Sequence, residues 1–331
     1  MSESRNHHLD NVKFILILLV IFGHIVPRLG ISRLGDAIGV SFYFFHMPLM
    51  VMISGYFTRK TDIKKFWNSI FHLLEAFLIF DVLLTIELWL SGNFHFSVKS
   101  LIIPRWSLWY LVSLIFWRTL IQFTPSLRLH PKLIIVISIV IGVLSGFVPI
   151  GEPFSFQRTF FYLPYFLVGY FVGKNKESSL SFDCIPLPIA ALFLLSFPVI
   201  TFFVDFPFEL LLEGKTPYYV FDYTLWLLPL FRMVLYLVSI FASFCVLKLV
   251  PKKEIAWVTK QGQDTLLYYL YHTSFIYGVM FISNHLFHLP GSFIAVLGYT
   301  VFIVIGIWIL IRIPFFRHFP NIVSYLITKR K

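Results

Sequence analysis

Apolar stretches of about twenty residues alternate with short polar connections along the whole 331-residue chain. A helix of that length crosses a bilayer hydrocarbon core of about 30 Å, because it rises about 1.5 Å per residue. Each stretch therefore predicts one spanning helix, and we expect about ten, at 13–29, 37–57, 66–90, 106–123, 132–149, 157–173, 185–204, 222–249, 263–283 and 291–312. The pattern predicts an all-α, polytopic transmembrane helical bundle in which residues 1–331 form a single domain.

The composition and the distribution of charge agree with a membrane protein. Hydrophobic residues make up 58% of the chain and charged residues only 13%, against about 45–50% and 25% in soluble domains. Most of the 27 lysines and arginines fall in connections on the same side of the membrane as the N-terminus. Since positive charge accumulates on the cytosolic side, this bias predicts that both termini are cytosolic. Cations assigned to the opposite side include Arg28, Arg105, Arg158 and Lys215. The net charge of +11 thus reflects orientation in the lipid bilayer, and we expect no nucleic-acid partner.

The first apolar stretch carries ionisable residues on one face. Lys13 and His24 are eleven positions apart, which puts them within about 20° of each other around a helix and about 16 Å apart along it. Asp10 lies within about 40° of the same face. Ionisable groups at membrane depth usually face a bundle interior or a wet cavity. His24 is therefore a structural histidine bonded to a neighbouring helix, a proton relay of a transporter, or a general base.

Five motifs resemble, in order and at compatible spacing, those of the acyltransferase-3 family of integral membrane acyltransferases. The run "DNVKFILILLVIFGH" (10–24) has that family's basic residue, ten intervening positions and histidine, filled by Lys13 and His24. The other four are "FFHMPLMVMISGYF" (44–57), "WSLWYL" (106–111), "SFQRTFFYLPYFLVGYFVGK" (155–174) and "GQDTLLYYLYH" (262–272). The run at 155–174 resembles the branch of the family that includes sugar O-acetylases.

This resemblance implies a membrane-bound O-acyltransferase of the plasma (cytoplasmic) membrane. It implies transfer of an acyl group, usually acetyl, from acetyl-CoA to a hydroxyl of a cell-surface polysaccharide or a lipid-linked sugar. It implies that His24 removes the proton of the acceptor hydroxyl while the oxygen attacks the thioester, or that His24 is acylated first and then passes the group on. We expect no metal ion in the reaction.

The resemblance also implies a site for the donor at the cytosolic end of the first helix. Lys13 would be a point-charge partner of the coenzyme A phosphates, and Asp10 would order this mouth by pairing with Lys13. Arg59, Lys60 and Lys64 follow the second span. These three cations either add to phosphate binding or form a plain cytosolic loop of the kind that orients membrane proteins.

Other candidates have two readings each. His46, close to Pro48, is a second catalytic candidate that either donates to the oxyanion or binds a carbonyl freed near the proline. Arg158 either recognises an acidic sugar or a phosphate or snorkels to the interface. The remaining candidates for the substrate site, which are otherwise structural or interfacial residues, are Trp109, Tyr110 and His272.

A transporter or flippase of lipid-linked glycans, without acyl transfer, is the alternative function. Buried histidines and intramembrane acids, such as Glu75 and Asp81 in the third stretch, fit that class as well. The sequence contains no GxSxG or HExxH motif, so a serine hydrolase elbow and a zinc peptidase are unsupported. The two classes differ in one observable, since only the enzyme changes the acyl content of the glycan.

Overall fold

The computed structural model of the protein describes residues 6–29, 32–92, 102–124, 130–148, 153–174, 184–221, 226–285 and 290–329. Every regular element in these residues is helical, which confirms the predicted all-α class. The helices are α1 (His7–Leu29), α2 (Arg33–Tyr43), α3 (His46–Phe57), α4 (Ile63–Leu90), α5 (Trp109–Phe123), α6 (Pro131–Leu144), α7 (Phe156–Lys174), α8 (Leu187–Phe203), α9 (Phe208–Leu212), α10 (Leu227–Leu249), α11 (Ala256–Gln263), α12 (Thr265–His285), α13 (Phe293–Leu310), α14 (Pro314–His318) and α15 (Ile322–Lys329).

Among the residues that the structure describes, five segments are long and apolar enough to cross a membrane. They are His7–Leu29, Arg33–Phe57, Ile63–Leu90, Leu227–Leu249 and Phe293–Leu310, and two shorter apolar helices cover Pro131–Phe147 and Leu187–Phe203. The other three predicted stretches contain α5, α7 and α12. The count of ten spans and the cytosolic location of both termini stay predictions. Residues 149 and 222–225 of two predicted spans, and the ends of the chain at 1–5 and 330–331, lie outside the described residues.

The second predicted span is two helices rather than one. A turn at Phe44 and Phe45 separates α2 from α3, and the chain resumes helical geometry at His46. Pro48 has no backbone N–H, so it cannot donate to the carbonyl of Phe44 four positions earlier. The proline therefore gives a physical reason for the interruption, which lies inside the candidate spanning segment Arg33–Phe57.

Helix α1 lies at the centre of the bundle and packs against α2, α3, α11, α12 and α13. Its buried residue Asn11 fixes it to the segment between α10 and α11. The Asn11 Nδ2 atom donates to the carbonyls of Pro251 and Lys253, at 3.0 and 2.9 Å, and its Oδ1 accepts from Thr259 Oγ1 at 2.6 Å. Both the amide nitrogen and the amide oxygen of this buried side chain thus have hydrogen-bond partners. These bonds fix the rotation of α1 about its axis, and hence the direction in which the face with Lys13 and His24 points.

Helices α3 and α7 carry two of the family-like motifs and pack closely. A Cβ atom at Gly169 of α7 would lie 1.9 Å from the carbonyl oxygen of Met52 in α3, so only glycine fits there. Small residues of this kind let membrane helices approach backbone to backbone.

The two acidic residues that the sequence singles out in α4 bind backbone N–H groups of other segments. Glu75 Oε1 accepts from the backbone N–H groups of Val323 and Ser324, at 2.6 and 3.2 Å, at the start of α15. Asp81 Oδ1 accepts from the backbone N–H of Arg105 at 3.2 Å. Glu75 therefore fixes the C-terminal helix to α4, and Asp81 fixes the segment that leads into α5.

Candidate functional site

Two histidines from distant parts of the chain meet in the bundle interior. The rings of His24 in α1 and His272 in α12 are stacked, with centroids 5.5 Å apart and an interplanar angle of 18°. The indole of Trp106 lies 5.0 Å from the His24 ring. The described contacts of the His24 ring are with the rings of His272 and Trp106, and the side chain is only partly buried. A neutral imidazole has a lone pair available to accept a proton.

The tautomer of His272 follows from its own backbone contact. His272 is fully buried, and its Nδ1 lies 2.5 Å from the carbonyl oxygen of Tyr269, which only accepts hydrogen bonds. The proton is therefore on Nδ1, and the lone pair is on Nε2. The Nε2 atom has no partner in the described residues. His272 thus presents an unsatisfied acceptor beside His24.

Arg28 lies one turn after His24 and was not singled out as a site residue by the sequence. Its Nη1 atom donates to the carbonyl of His24 at 2.6 Å, and its guanidinium stacks on Trp106 at 3.8 Å from the ring centroid. A guanidinium over an indole face is held by a cation–π attraction. Arg28 therefore brings a positive charge to the histidine pair and also fixes the position of the indole.

The segment that carries Trp106 is held on α12 by hydroxyl contacts. Ser107 Oγ is hydrogen-bonded to Thr273 Oγ1 at 2.8 Å, and the Tyr269 hydroxyl donates to the Ser107 carbonyl. Trp106 itself has a φ of 39°, in the left-handed region that favours glycine. A bulky residue persists there only when its surroundings determine the conformation, and such residues cluster at functional sites.

The first of two cavities near the histidine pair, the Lys13 pocket, has a volume of about 250 Å³. Helix α1 lines it with Lys13, Ile17 and Val20, which form one helical stripe. His24 is the next residue on that stripe, about 6 Å beyond Val20. Tyr269 lines the same pocket, and its ring centroid is 5.8 Å from that of His272. The pocket therefore runs from the lysine towards both histidines.

The mouth of the Lys13 pocket contains the Asp10–Lys13 pair that the sequence predicts on one face. The Lys13 Nζ atom lies 2.7 Å from Asp10 Oδ1, and Asp10 is buried. Gly262 of α11 also lines the pocket, and a Cβ there would lie 1.9 Å from the Asp10 carbonyl oxygen. A second cation, Arg118 of α5, lines the pocket and donates to Ser69 Oγ at 2.7 Å. Lys13 and Arg118 are thus two positive charges at one cavity.

The cations that follow α3 do not line the Lys13 pocket. Arg59 Nη1 donates to the carbonyls of Tyr56 and Thr58, and Lys60 Nζ donates to the carbonyl of Thr124 at 2.6 Å. Lys64 is exposed in the first turn of α4. That turn is capped by Asp62, and the hydrogen bond from the Lys65 backbone N–H lowers the pKa of the Asp62 carboxyl. A donor-binding role for Arg59, Lys60 and Lys64 stays a prediction.

His46 is buried at the start of α3. Its Nδ1 atom lies 2.5 Å from the carbonyl of Phe42, and its ring packs edge-on against Tyr43 at 5.0 Å between centroids. The Phe42 carbonyl belongs to the last turn of α2, just before the interruption near Pro48. This contact agrees with the structural role, in which His46 binds a carbonyl freed near the proline. A catalytic role for His46 stays a prediction.

Arg158 lines the second cavity, the Arg158 pocket, which has a volume of about 240 Å³. Arg105, Gln157, Lys215 and Trp106 line it as well. Trp106 is therefore common to this pocket and to the surroundings of His24. Along α1, the Lys13 pocket precedes His24, whereas Arg28, which contacts Trp106, follows it. The two cavities thus approach the histidine pair from opposite directions.

The two adjacent aromatic residues that the sequence groups together face different surroundings. Trp109 stacks on Tyr162, with centroids 5.0 Å apart, and lies under the guanidinium of Arg158 at 5.2 Å. Tyr110 lines the Lys13 pocket instead, where its hydroxyl is hydrogen-bonded to Ser54. Since consecutive residues of a helix are about 100° apart, they cannot face one ligand together. Their roles in binding substrate stay predictions.

The comparisons with known proteins give one match. The family model described as an acyltransferase domain, that of the acyltransferase-3 family, matches residues 6–312. No curated protein and no solved structure matches the chain. The matched range includes both pockets and the histidine pair.

Proposed function

This chain belongs to the acyltransferase-3 family, and from that premise we propose that it transfers acetyl from acetyl-CoA to a hydroxyl of a cell-surface polysaccharide or a lipid-linked sugar. The family assignment supports acyl transfer at a membrane. The donor, the acceptor and the residues that act on them belong to the proposal.

The continuous stripe of α1 carries this proposal. Lys13, Ile17 and Val20 line one pocket, and His24 follows on the same face, about 16 Å from Lys13 along the axis. Coenzyme A is a long, thin molecule with phosphates at one end and the thioester at the other. A cation at the pocket mouth and an imidazole beyond the pocket on the same helix face match those two ends in order.

In the proposed reaction, Lys13 and Arg118 hold the phosphates of the donor, and the pantetheine arm lies along the apolar wall of the Lys13 pocket. His24 accepts the proton of the acceptor hydroxyl as the oxygen forms a bond to the thioester carbonyl carbon. The carbon–sulfur bond then breaks, and the imidazolium returns the proton to the leaving thiolate. Arg28 lies beside His24 and would stabilise the negative charge that develops on the carbonyl oxygen.

An acyl-histidine route uses the same geometry in two steps. The lone pair of His24 attacks the thioester, CoA leaves, and the acceptor hydroxyl then attacks the acyl-imidazole. In that route the unpartnered Nε2 of His272, which is stacked beside His24, is the candidate acceptor for the hydroxyl proton. Trapping of radioactive acetyl on the protein in the absence of acceptor separates this route from direct transfer.

The test compares His24→Ala and Lys13→Ala in purified full-length protein and in cells. We expect His24→Ala to abolish acetyl transfer while it still binds a non-hydrolysable acetyl-CoA analogue. We expect Lys13→Ala to weaken binding of the analogue. His72→Gln, on the exposed surface of α4, is the matched control and should change neither quantity.

The same variants distinguish the enzyme from the transporter. If His24→Ala removes acetyl groups from the surface glycan and export continues, the proposed function holds. Loss of glycan export with normal acetyl content would favour the transporter. Transfer at the normal rate by His24→Ala would contradict the proposed role of the histidine.

A further inference from the structure

Three cations from separate segments meet at the Arg158 pocket. Arg105 precedes the Trp106 segment, Arg158 lies in the first turn of α7, and Lys215 follows α9. Like charges that are gathered at one cavity repel each other, and an anion bound in the pocket would reduce that repulsion.

The three cations are not equally engaged by the protein. Arg105 Nε donates to Thr85 Oγ1 at 2.9 Å, and Lys215 Nζ is paired with Glu213 at 2.9 Å. Arg158 forms no ion pair with any acid in the described part of the chain, and its guanidinium lies over the face of Trp109. Arg105 is thus oriented by Thr85, and Lys215 is paired with Glu213. Arg158 is left without an acidic partner among the described residues.

A buried amide in the same pocket lacks one hydrogen bond. Gln157 is 1% exposed, and its Nε2 donates to the Ser145 carbonyl at 3.4 Å. Its Oε1 has no partner among the described residues. A buried acceptor without a partner is costly, and a ligand hydroxyl is a donor that would satisfy it. The pocket is therefore complementary to a ligand that carries hydroxyl groups as well as a negative charge.

The walls of this pocket contain strained backbone. In the described residues, three non-glycine residues have positive φ: Trp106 at 39°, Phe154 at 47° and Ser155 at 56°. Trp106 and Ser155 line the pocket, and the Phe154 N–H donates to the Ile102 carbonyl at 2.7 Å, which ties its two loops together. Strained conformations of this kind persist where the surrounding structure maintains them, often at ligand sites.

We infer that the Arg158 pocket binds an acidic sugar unit of the acceptor, with Arg158 and Arg105 on its carboxylate or phosphate and Gln157 on one of its hydroxyls. Calling this ligand the acceptor rests on the proposed function. Trp106 lines this pocket and its ring centroid lies 5.0 Å from that of His24, so a sugar bound there would lie beside a residue that contacts the reacting imidazole.

The experiment measures binding of sugars to the purified full-length chain in an uncharged detergent, by saturation-transfer NMR. The probes are glucuronate, glucose 6-phosphate, neutral glucose and inorganic phosphate. We expect at least one acidic sugar to bind about tenfold more tightly than glucose, and Arg158→Gln to remove about that factor. The acidic sugar that binds more tightly tells whether the anion is a carboxylate or a phosphate.

Two further variants test the parts of the pocket separately. Gln157→Leu should weaken binding of the acidic sugars but leave inorganic phosphate unchanged, because it removes the acceptor for a sugar hydroxyl and no cation. Arg33→Gln is the matched control and should change nothing, since Arg33 lies outside this pocket and donates to the Phe202 carbonyl. Equal binding of glucose and the acidic sugars, or an Arg158→Gln variant with unchanged affinity, would overturn the inference.

Binding of the non-hydrolysable acetyl-CoA analogue is measured on every variant, as a check on folding and on the proposed function. If the analogue binds and the acidic sugars show no preference over glucose, this inference fails and the proposed donor stands. If the acidic sugars bind through Arg158 and the analogue does not bind, the proposed function fails and the anion site stands.

Discussion

The Lys13 pocket and the Arg158 pocket are built from different parts of the fold. Helices α1, α3 and α5 supply most of the Lys13 pocket, and their apolar side chains leave Lys13 and Arg118 as its two cations. The Arg158 pocket is built mainly from connecting segments and a helix start, and it collects three cations and a buried amide. An apolar cleft between helices suits an extended acyl carrier, whereas a polar cleft made by loops suits a hydrated sugar.

Trp106 is the element that the two regions share, so its removal should have the largest effect. We expect Trp106→Ala to lower acetyl transfer by about 100-fold or more, because the indole positions Arg28 and borders His24. Hydrolysis of acetyl-CoA by water should rise relative to transfer, because water would fill the space that the indole leaves beside His24. The measurement is CoA release with and without acceptor. Trp226→Ala, which removes an exposed indole, is the control, and an unchanged rate in Trp106→Ala would show that the two regions do not depend on Trp106.

A methyl group at the donor end should affect the Lys13 pocket alone. Gly262→Ala places a Cβ 1.9 Å from the Asp10 carbonyl, so α11 must shift. Overpacking of this kind costs about 1–3 kcal/mol. We expect weaker binding of the acetyl-CoA analogue and unchanged binding of sugars at the Arg158 pocket, both measured by titration.

Gly298→Ala is the matched control for that change, because a Cβ at Gly298 meets nothing within 4 Å. If both glycine variants bind the analogue equally well, the close approach of α11 to α1 is not needed for the donor site.

The second cation of the Lys13 pocket should make a smaller contribution. We expect Arg118→Gln to weaken binding of the acetyl-CoA analogue by about tenfold and to reduce its dependence on salt. Binding at several ionic strengths measures both effects. Arg312→Gln, which removes a cation that stacks on Trp308 instead, should leave both quantities as they are. An unchanged salt dependence in Arg118→Gln would place the donor phosphates elsewhere.

The smallest effect on activity is expected at Glu75, which belongs to neither pocket. We expect Glu75→Gln to lower the stability of the protein by about 1 kcal/mol, since the carboxylate binds the N–H groups at the start of α15. Acetyl transfer should stay within about twofold of the wild type. Thermal unfolding and the transfer assay check the two statements, with the exposed Glu254→Gln as control. Loss of transfer in a Glu75→Gln protein of normal stability would show that this acid takes part in the reaction.

The local features of the fold were predictable because they depend on neighbours in the chain. The helical periodicity puts Asp10, Lys13 and His24 on one face, and the structure contains the Asp10–Lys13 pair with Ile17 and Val20 completing the stripe. The interruption near Pro48 was missed within an otherwise uniform apolar run. The proline itself was the available signal, because it removes one backbone donor.

The sequence alone thus determined the all-α class, the membrane class and the family, since hydropathy, periodicity and short motifs are properties of nearby residues. Only the tertiary structure decided that His272 stacks on His24, that Trp109 and Tyr110 face different surroundings, and that Arg105, Arg158 and Lys215 meet at one cavity. The physical reason is that contacts between residues far apart in sequence depend on how whole helices rotate and pack, which buried groups such as Asn11 and close contacts such as Gly169 against Met52 help to determine.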